Sequence, residues 1–190
     1  MSANPSINDR LVNNLLDQVL VAVVKPASPP WSPIIDSYFV KLRRGRDADH
    51  RAAAEQRIWE VWCTHDDSDA TLAMTKVLQA LSVNDLATSS EQLDTMVKRW
   101  PDWAEAWNKR ATLQFVQERY DESLADILRT LELEPRHFGA ISGFGQICLR
   151  LQDPQSAMIA FEQALNINPN LTAIKDTIEM LKKDVVRNVH

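Results

Sequence analysis

Three prolines, Pro101, Pro135 and Pro169, stand 34 residues apart, and each closes a stretch of similar character. A fixed period of this size is typical of proteins built from repeated helical units. One unit of this length cannot bury its apolar side chains alone, so neighbouring units must stack and share a core. The period therefore predicts three repeats, which span residues 70–103, 104–137 and 138–171.

Each repeat has room for two helices joined by a short turn. In the second repeat, the sequence predicts helices from Ala104 to Val116 and from Tyr120 to Leu133, and Pro135 prevents the latter from continuing. In the third repeat, Asp153 is expected to cap a helix that begins at Pro154. Because helix-favouring residues dominate and the chain has only 4 glycines, the expected fold class is all-α.

The repeated positions resemble those of the tetratricopeptide repeat (TPR) family. Its units carry a Trp and a small residue in the first helix and a Pro at the end. Trp107, Ala111 and Pro135 match these places in the second repeat, while Gly145 and Pro169 match in the third. The resemblance implies a right-handed α-solenoid of helix-turn-helix repeats, with the first helices lining a concave groove.

Two charged residues depart from the family pattern. Lys76 in the first repeat and Arg110 in the second stand where the family has Leu. Both repeats nevertheless keep an amphipathic pattern, so we expect the same fold in them.

The residues outside the three repeats are expected to add further helices. Residues 1–33 predict an amphipathic helix followed by a proline-rich linker. Residues 34–69 have apolar faces on two short helices, and we interpret them as a degenerate helical pair, a fourth unit. Residues 172–190 predict an amphipathic helix that caps the C-terminal end of the array.

The function that the resemblance implies is non-catalytic protein–protein interaction, as a scaffold or adaptor. The expected partner segment is a peptide or an amphipathic helix bound in the concave groove. The candidate groove residues are Met74, Leu78, Asn108, Thr112, Phe115, Gly139, Ser142, Gly143, Gln146, Leu149 and Arg150.

Two of these candidates, Gly139 and Gly143, lie one helical turn apart. Glycine inside a helix costs about 0.5–1 kcal/mol relative to alanine, so each should serve a purpose. Two interpretations stay open. The glycines allow neighbouring helices to pack closely, or they leave a groove floor that the backbone of a partner can approach.

Other classes of function find little support in the sequence. A net charge of −5 disfavours a nucleic-acid partner, and the basic cluster at 41–46 is expected to stabilise a helix C-terminus. No segment resembles a signal peptide or is long and apolar enough for membrane insertion, so we expect a cytoplasmic protein. Cys63 and Cys148 are expected to be free thiols, and we expect no metal, cofactor or enzymatic activity.

A second hypothesis is self-association. The N-terminal amphipathic helix could fill the groove of its own chain, or that of a neighbour in a homodimer. A related alternative is that the chain is an accessory subunit of a larger complex.

Overall fold

The protein is a stack of short helices. A computed structural model describes residues 7–22 and 33–187, and within these ranges the chain forms helices joined by short turns, without a strand. The expected all-α fold is confirmed. The expected proline-rich linker falls largely on residues 23–32, outside the described residues. The helices are α1 Ile7–Ala22, α2 Pro33–Arg44, α3 Ala48–Trp62, α4 Ser68–Ser82, α5 Leu86–Arg99, α6 Ala104–Val116, α7 Tyr120–Leu133, α8 Phe138–Arg150, α9 Pro154–Ile167 and α10 Thr172–Arg187.

The three repeats are helical pairs that stack in sequence order. Helix α4 packs against α5, α6 against α7, and α8 against α9. The second helix of each pair also packs against the first helix of the next pair. Helix α10 continues the series by packing on α9, where its Ile174 and Ile178 are buried. The arrangement is an α-solenoid, as the 34-residue period predicts.

One glycine allows two helices of the third repeat to approach closely. A Cβ atom added to Gly145 would lie 2.5 Å from the ring of Phe161, which is fully buried. Nothing larger than hydrogen fits there without displacing an aromatic ring from a close-packed core. The need for a small residue at this place of the repeat follows from this contact.

The two departures from the family pattern have different physical explanations. Phe144, at the equivalent place in the third repeat, is fully buried. Arg110 instead donates two hydrogen bonds to the Asp126 carboxylate, at 2.7 and 2.8 Å, and one to Asp94 at 3.0 Å. It thereby ties α6 to α5 and α7 through charge-assisted bonds. Lys76 is exposed in an open cleft between α4 and α5, so its charge stays hydrated.

Helices α2 and α3 pack on each other. Helix α3 also contacts the three turns that follow the second helix of each repeat, which are the turns before α6, α8 and α10. At the first turn, Trp103 donates from Nε1 to the Trp62 carbonyl at 2.8 Å. At the second, the His137 ring stacks on Trp62 with ring centroids 4.0 Å apart. At the third, Asn170 donates to the Glu55 carboxylate at 3.2 Å. Helix α3 therefore lies alongside the stack and contacts repeats that do not adjoin one another.

The N-terminal helix α1 packs on the second helices of the second and third repeats. Its main contacts are with α7 and α9, and its Leu15 and Val19 are completely buried. These two residues of the predicted amphipathic helix therefore face the chain's own core. In the described residues, no helix is long and apolar enough to cross a membrane.

The turn inside each repeat places one residue in the left-handed backbone region. These residues are Asn84, Glu118 and Gln152, with φ of 57°, 60° and 61°, and they are spaced by the same 34 residues. The following residue of each turn donates its N–H to a carbonyl five residues back, as at a helix end closed by a left-handed residue. Glycine is the residue that suits this place best, yet the chain has none there.

Replacing Glu118 or Gln152 with glycine should therefore stabilise the protein. We expect a gain of about 0.5–1 kcal/mol for each, because the relief of backbone strain exceeds the extra entropy of the unfolded chain. Denaturant unfolding of the variants would measure it. Asn84→Gly is the matched control and should gain less, because asparagine tolerates this conformation. A loss of stability in Glu118→Gly would contradict the explanation.

Candidate functional site

A small cleft lies between the first helices of the second and third repeats, with α7 behind it. Its volume is about 80 Å³, well below the roughly 300–1,000 Å³ of pockets that hold small molecules. Its size suits one side chain of a partner better than a cofactor. Six of the candidate groove residues line this cleft: Asn108, Thr112, Phe115, Gly139, Gly143 and Gln146.

The other five candidates lie elsewhere. Met74 is 1% exposed and belongs to the core formed with Val77 and Leu93 and their neighbours. Leu78 is exposed on α4. The Ser142 hydroxyl donates to the carbonyl one turn back in its own helix.

The last two of these candidates stand at the C-terminal end of α8. Leu149 packs partly against the main core, and Arg150 is exposed. Neither lines the cleft between α6 and α8, so the structure does not bring the eleven candidates together in one site.

The two cleft glycines differ in what surrounds them. A Cβ atom on Gly139 would lie 2.8 Å from the indole of Trp59 on α3. A Cβ atom on Gly143 would meet only Ile127, at an ordinary contact distance of 3.7 Å. Of the two interpretations left open by the sequence, close packing therefore explains Gly139. At Gly143 the helix surface is open towards the cleft.

A buried polar cluster lies next to the cleft, around the carboxylate of Glu105. Glu105 is 1% exposed, and its Oε2 lies 2.8 Å from Nε2 of His137, which is fully buried. The Nζ atom of Lys109 lies 2.8 Å from Oε1, and Asn108 donates to Oε2 at 3.0 Å. A buried carboxylate is tolerated when it is paired and hydrogen-bonded in this way. Asn108 belongs to both the cluster and the cleft.

The backbone fixes the tautomer of His137. Its Nδ1 accepts the Ala140 N–H at 3.1 Å, because His137 is the N-cap of α8. The proton of the neutral ring is therefore on Nε2, which donates to Glu105. On one face the ring stacks on Trp62, with an interplanar angle of 11°. Three helices, α3, α6 and α8, thus meet at one imidazole.

Glu105 and Lys109 form an ion pair. Burial acts to raise the pKa of Glu105, but the hydrogen bond from His137 and the charge of Lys109 outweigh it, so this pKa is lowered. For Lys109, burial acts to lower the pKa, and the Glu105 carboxylate outweighs that effect and raises it. Both residues are therefore charged at neutral pH.

The two cysteines are free thiols. Burial raises the pKa of Cys63 to about 11 and that of Cys148 to about 12. Both thiols stay protonated at neutral pH, whereas nucleophilic cysteines react as thiolates. In residues 7–22 and 33–187, no three His, Cys, Asp or Glu side chains gather as a metal would require.

The polar cluster was not predicted from the sequence. Two signals could have indicated it. Glu105 and Lys109 are four residues apart on one helix, which is the spacing of an ion pair. His137 directly precedes the next first helix, where a side chain caps the backbone. Neither signal shows that the two positions meet, since that depends on the stacking of the repeats.

Comparison with known proteins agrees with this architecture. The model of the tetratricopeptide repeat family matches residues 74–137 and again 108–171, one repeat further along. The chain belongs to the tetratricopeptide repeat family. A TPR repeat-containing protein of Rhizobium etli is 32% identical over 154 residues, which cover 81% of this chain and 76% of the relative. Repeats of this family generally mediate protein–protein interaction.

A second relative is a much longer protein. Anaphase-promoting complex subunit 7 of Dictyostelium discoideum is 28% identical over 78 residues, which cover 41% of this chain and 13% of that subunit. The likeness is therefore limited to a short part of the other protein.

Alanine at the two cleft glycines should have opposite effects. Gly143→Ala should raise the free energy of unfolding by about 0.5–1 kcal/mol, because alanine favours helix and the added methyl group has room. Gly139→Ala should lower it, because the methyl group meets the Trp59 indole. Chemical denaturation of both variants checks this pair. Equal effects at the two positions would contradict the difference in their surroundings.

The ion pair should make stability depend on acid pH. The pKa of Glu105 in the folded protein lies below its ordinary value of 4.5, so its contribution is complete above that pH and is lost as the pH falls. Glu105→Gln should be about 2–3 kcal/mol less stable at neutral pH, because Lys109 loses its partner. The difference should shrink below pH 4.5 in denaturant unfolding. A difference that is constant with pH would refute the ion-pair explanation.

Proposed function

We propose that this protein is a non-catalytic interaction module that holds a peptide or an amphipathic helix of a partner in the cleft between α6 and α8. The observation that supports this most directly is the open surface at Gly143. A Cβ atom there would have only one neighbour within 4 Å, although the residue lies inside a helix where glycine is unfavourable. The missing side chain leaves space for a group from another molecule.

The lining of the cleft suits an apolar side chain of a partner together with the polar backbone next to that side chain. Phe115 and Ile127 provide apolar surface, and Thr112 is exposed at the edge. The Gln146 amide makes no hydrogen bond to any described residue, so both its donor and its acceptor are open to a partner. We infer that an apolar side chain of the partner enters above Gly143 while Gln146 pairs with the adjoining backbone.

Self-association and membership of a larger complex are the alternative. Helix α1 packs on α7 and α9 of its own chain, and no described residue of α1 lines the cleft. A homodimer that exchanges α1 would rebuild the same contacts between two chains and leave both clefts open. One relative is named as a subunit of a multi-protein complex, which is in line with an accessory role.

A photo-crosslinking amino acid placed at Thr112 tests the proposal in a cell extract. We expect a specific crosslinked protein, which decreases by about tenfold when Gly143→Leu fills the cleft, because a central contact dominates such interfaces. The same crosslinker at Glu162, which is exposed on α9, is the control. Equal products from both positions, or products that persist in Gly143→Leu, would contradict binding in the cleft. Crosslinks to a second copy of this chain would favour the homodimer.

A further inference from the structure

A cluster of four cations stands at the end of α2. Lys41, Arg43 and Arg44 lie in its last turn, Arg46 follows after Gly45, and all four side chains are exposed. None of them forms an ion pair or a side-chain hydrogen bond with a described residue. This cluster, called the α2 basic patch below, is concentrated in a chain of net charge −5.

Many other arginines of the protein are paired with acids. Five examples are Arg57 with Glu60, Arg99 with Asp69, Arg119 with Glu122, Arg129 with Glu132 and Arg136 with Asp36. The acids close to the α2 basic patch do not neutralise it. Asp36 pairs with Arg136, and Asp47 caps α3 through the His50 N–H at 2.9 Å. Asp49 is the remaining exposed acid there.

Stabilisation of the α2 C-terminus by nearby cations explains only part of this positive charge. The partial negative charge at a helix end is roughly half an elementary charge, far less than the four positive charges assembled here. The patch is also held in place. A Cβ atom on Gly45 would lie 2.7 Å from Arg51, whose Nη1 donates to the Gly45 carbonyl at 3.1 Å. The turn that presents the cations is therefore fixed.

Exposed apolar side chains lie on the same helix. Val40 is 44% exposed and Ile34 is 59% exposed, while Tyr38 lies under the Nζ atom of Lys41 at 5.2 Å. Aliphatic and aromatic groups beside lysine and arginine are the composition of helices that lie on an anionic bilayer. A simple acidic peptide without apolar side chains would engage the cations but not the exposed aliphatic groups.

We propose that the α2 basic patch is a peripheral docking surface for anionic phospholipid. The cations contact the lipid headgroups, and Val40 lies at the boundary between the headgroups and the acyl chains. This goes beyond binding of a protein segment in the cleft and does not depend on it. Because the rest of the chain is acidic, an anionic membrane attracts the protein only when the α2 basic patch faces the membrane. Salt should weaken this attraction.

Sedimentation with vesicles tests the proposal. The full chain should bind vesicles of phosphatidylcholine mixed with phosphatidylglycerol at low salt, and should not bind vesicles of phosphatidylcholine alone. Arg43→Ser combined with Arg44→Ser should weaken binding about 25-fold, since each basic residue near an anionic surface contributes a factor of about five. Both side chains are exposed, so the helical content should stay unchanged, and the unfolding temperature should fall only slightly because the C-terminus of α2 loses two favourable charges.

Lys175→Ser combined with Lys183→Ser removes the same charge from exposed positions on α10 and should bind like the unmodified protein. Val40→Asp should also reduce binding while leaving all four cations in place. Failure of the unmodified protein to bind the anionic vesicles would overturn the proposal. So would equal losses in the two double variants, or binding to a polyglutamate peptide without binding to the vesicles.

Discussion

The carboxylate of Glu105 is where separate parts of this molecule meet. It receives hydrogen bonds from the second repeat, through Asn108 and Lys109, and from the turn before the third, through His137. The imidazole that it holds is stacked on Trp62 of α3, outside the repeats. A charge in the interior persists only with several well-placed partners, so the positions of α3, α6 and α8 are fixed relative to one another.

The cleft depends on this arrangement. Its lining comes from α6, α7 and α8, and the Trp59 indole of α3 packs against Gly139, one of the lining residues. Asn108 connects the two features, because its amide bonds to Glu105 and its side chain also lines the cleft. In the proposed complex, a partner side chain over Gly143 would lie between walls whose spacing is set by buried polar contacts.

The repeats could be predicted from the sequence because their signals are local. Proline spacing, helix-favouring residues and the Gly145 position each depend on a few neighbouring side chains, and the structure has helices where they predict them. The contacts of α3 could not be predicted, because Glu55 and Asn170 are 115 residues apart and no period relates them. The candidate groove was predicted in part. The helical frame placed Asn108 and Gln146 on the cleft, but it also included Met74, which the stacking of α4 and α5 buries.

A linear array of repeats usually unfolds from its ends, because each unit is held only by its neighbours. Helix α3 changes this rule for the present chain. Its contacts reach Trp103, His137 and Asn170, so loss of an end unit also removes contacts from the middle of the array. The free energy needed to open one repeat therefore includes contacts that the other two repeats make through α3. Hydrogen exchange in such a molecule should proceed through global unfolding, with similar protection in the first and last repeats.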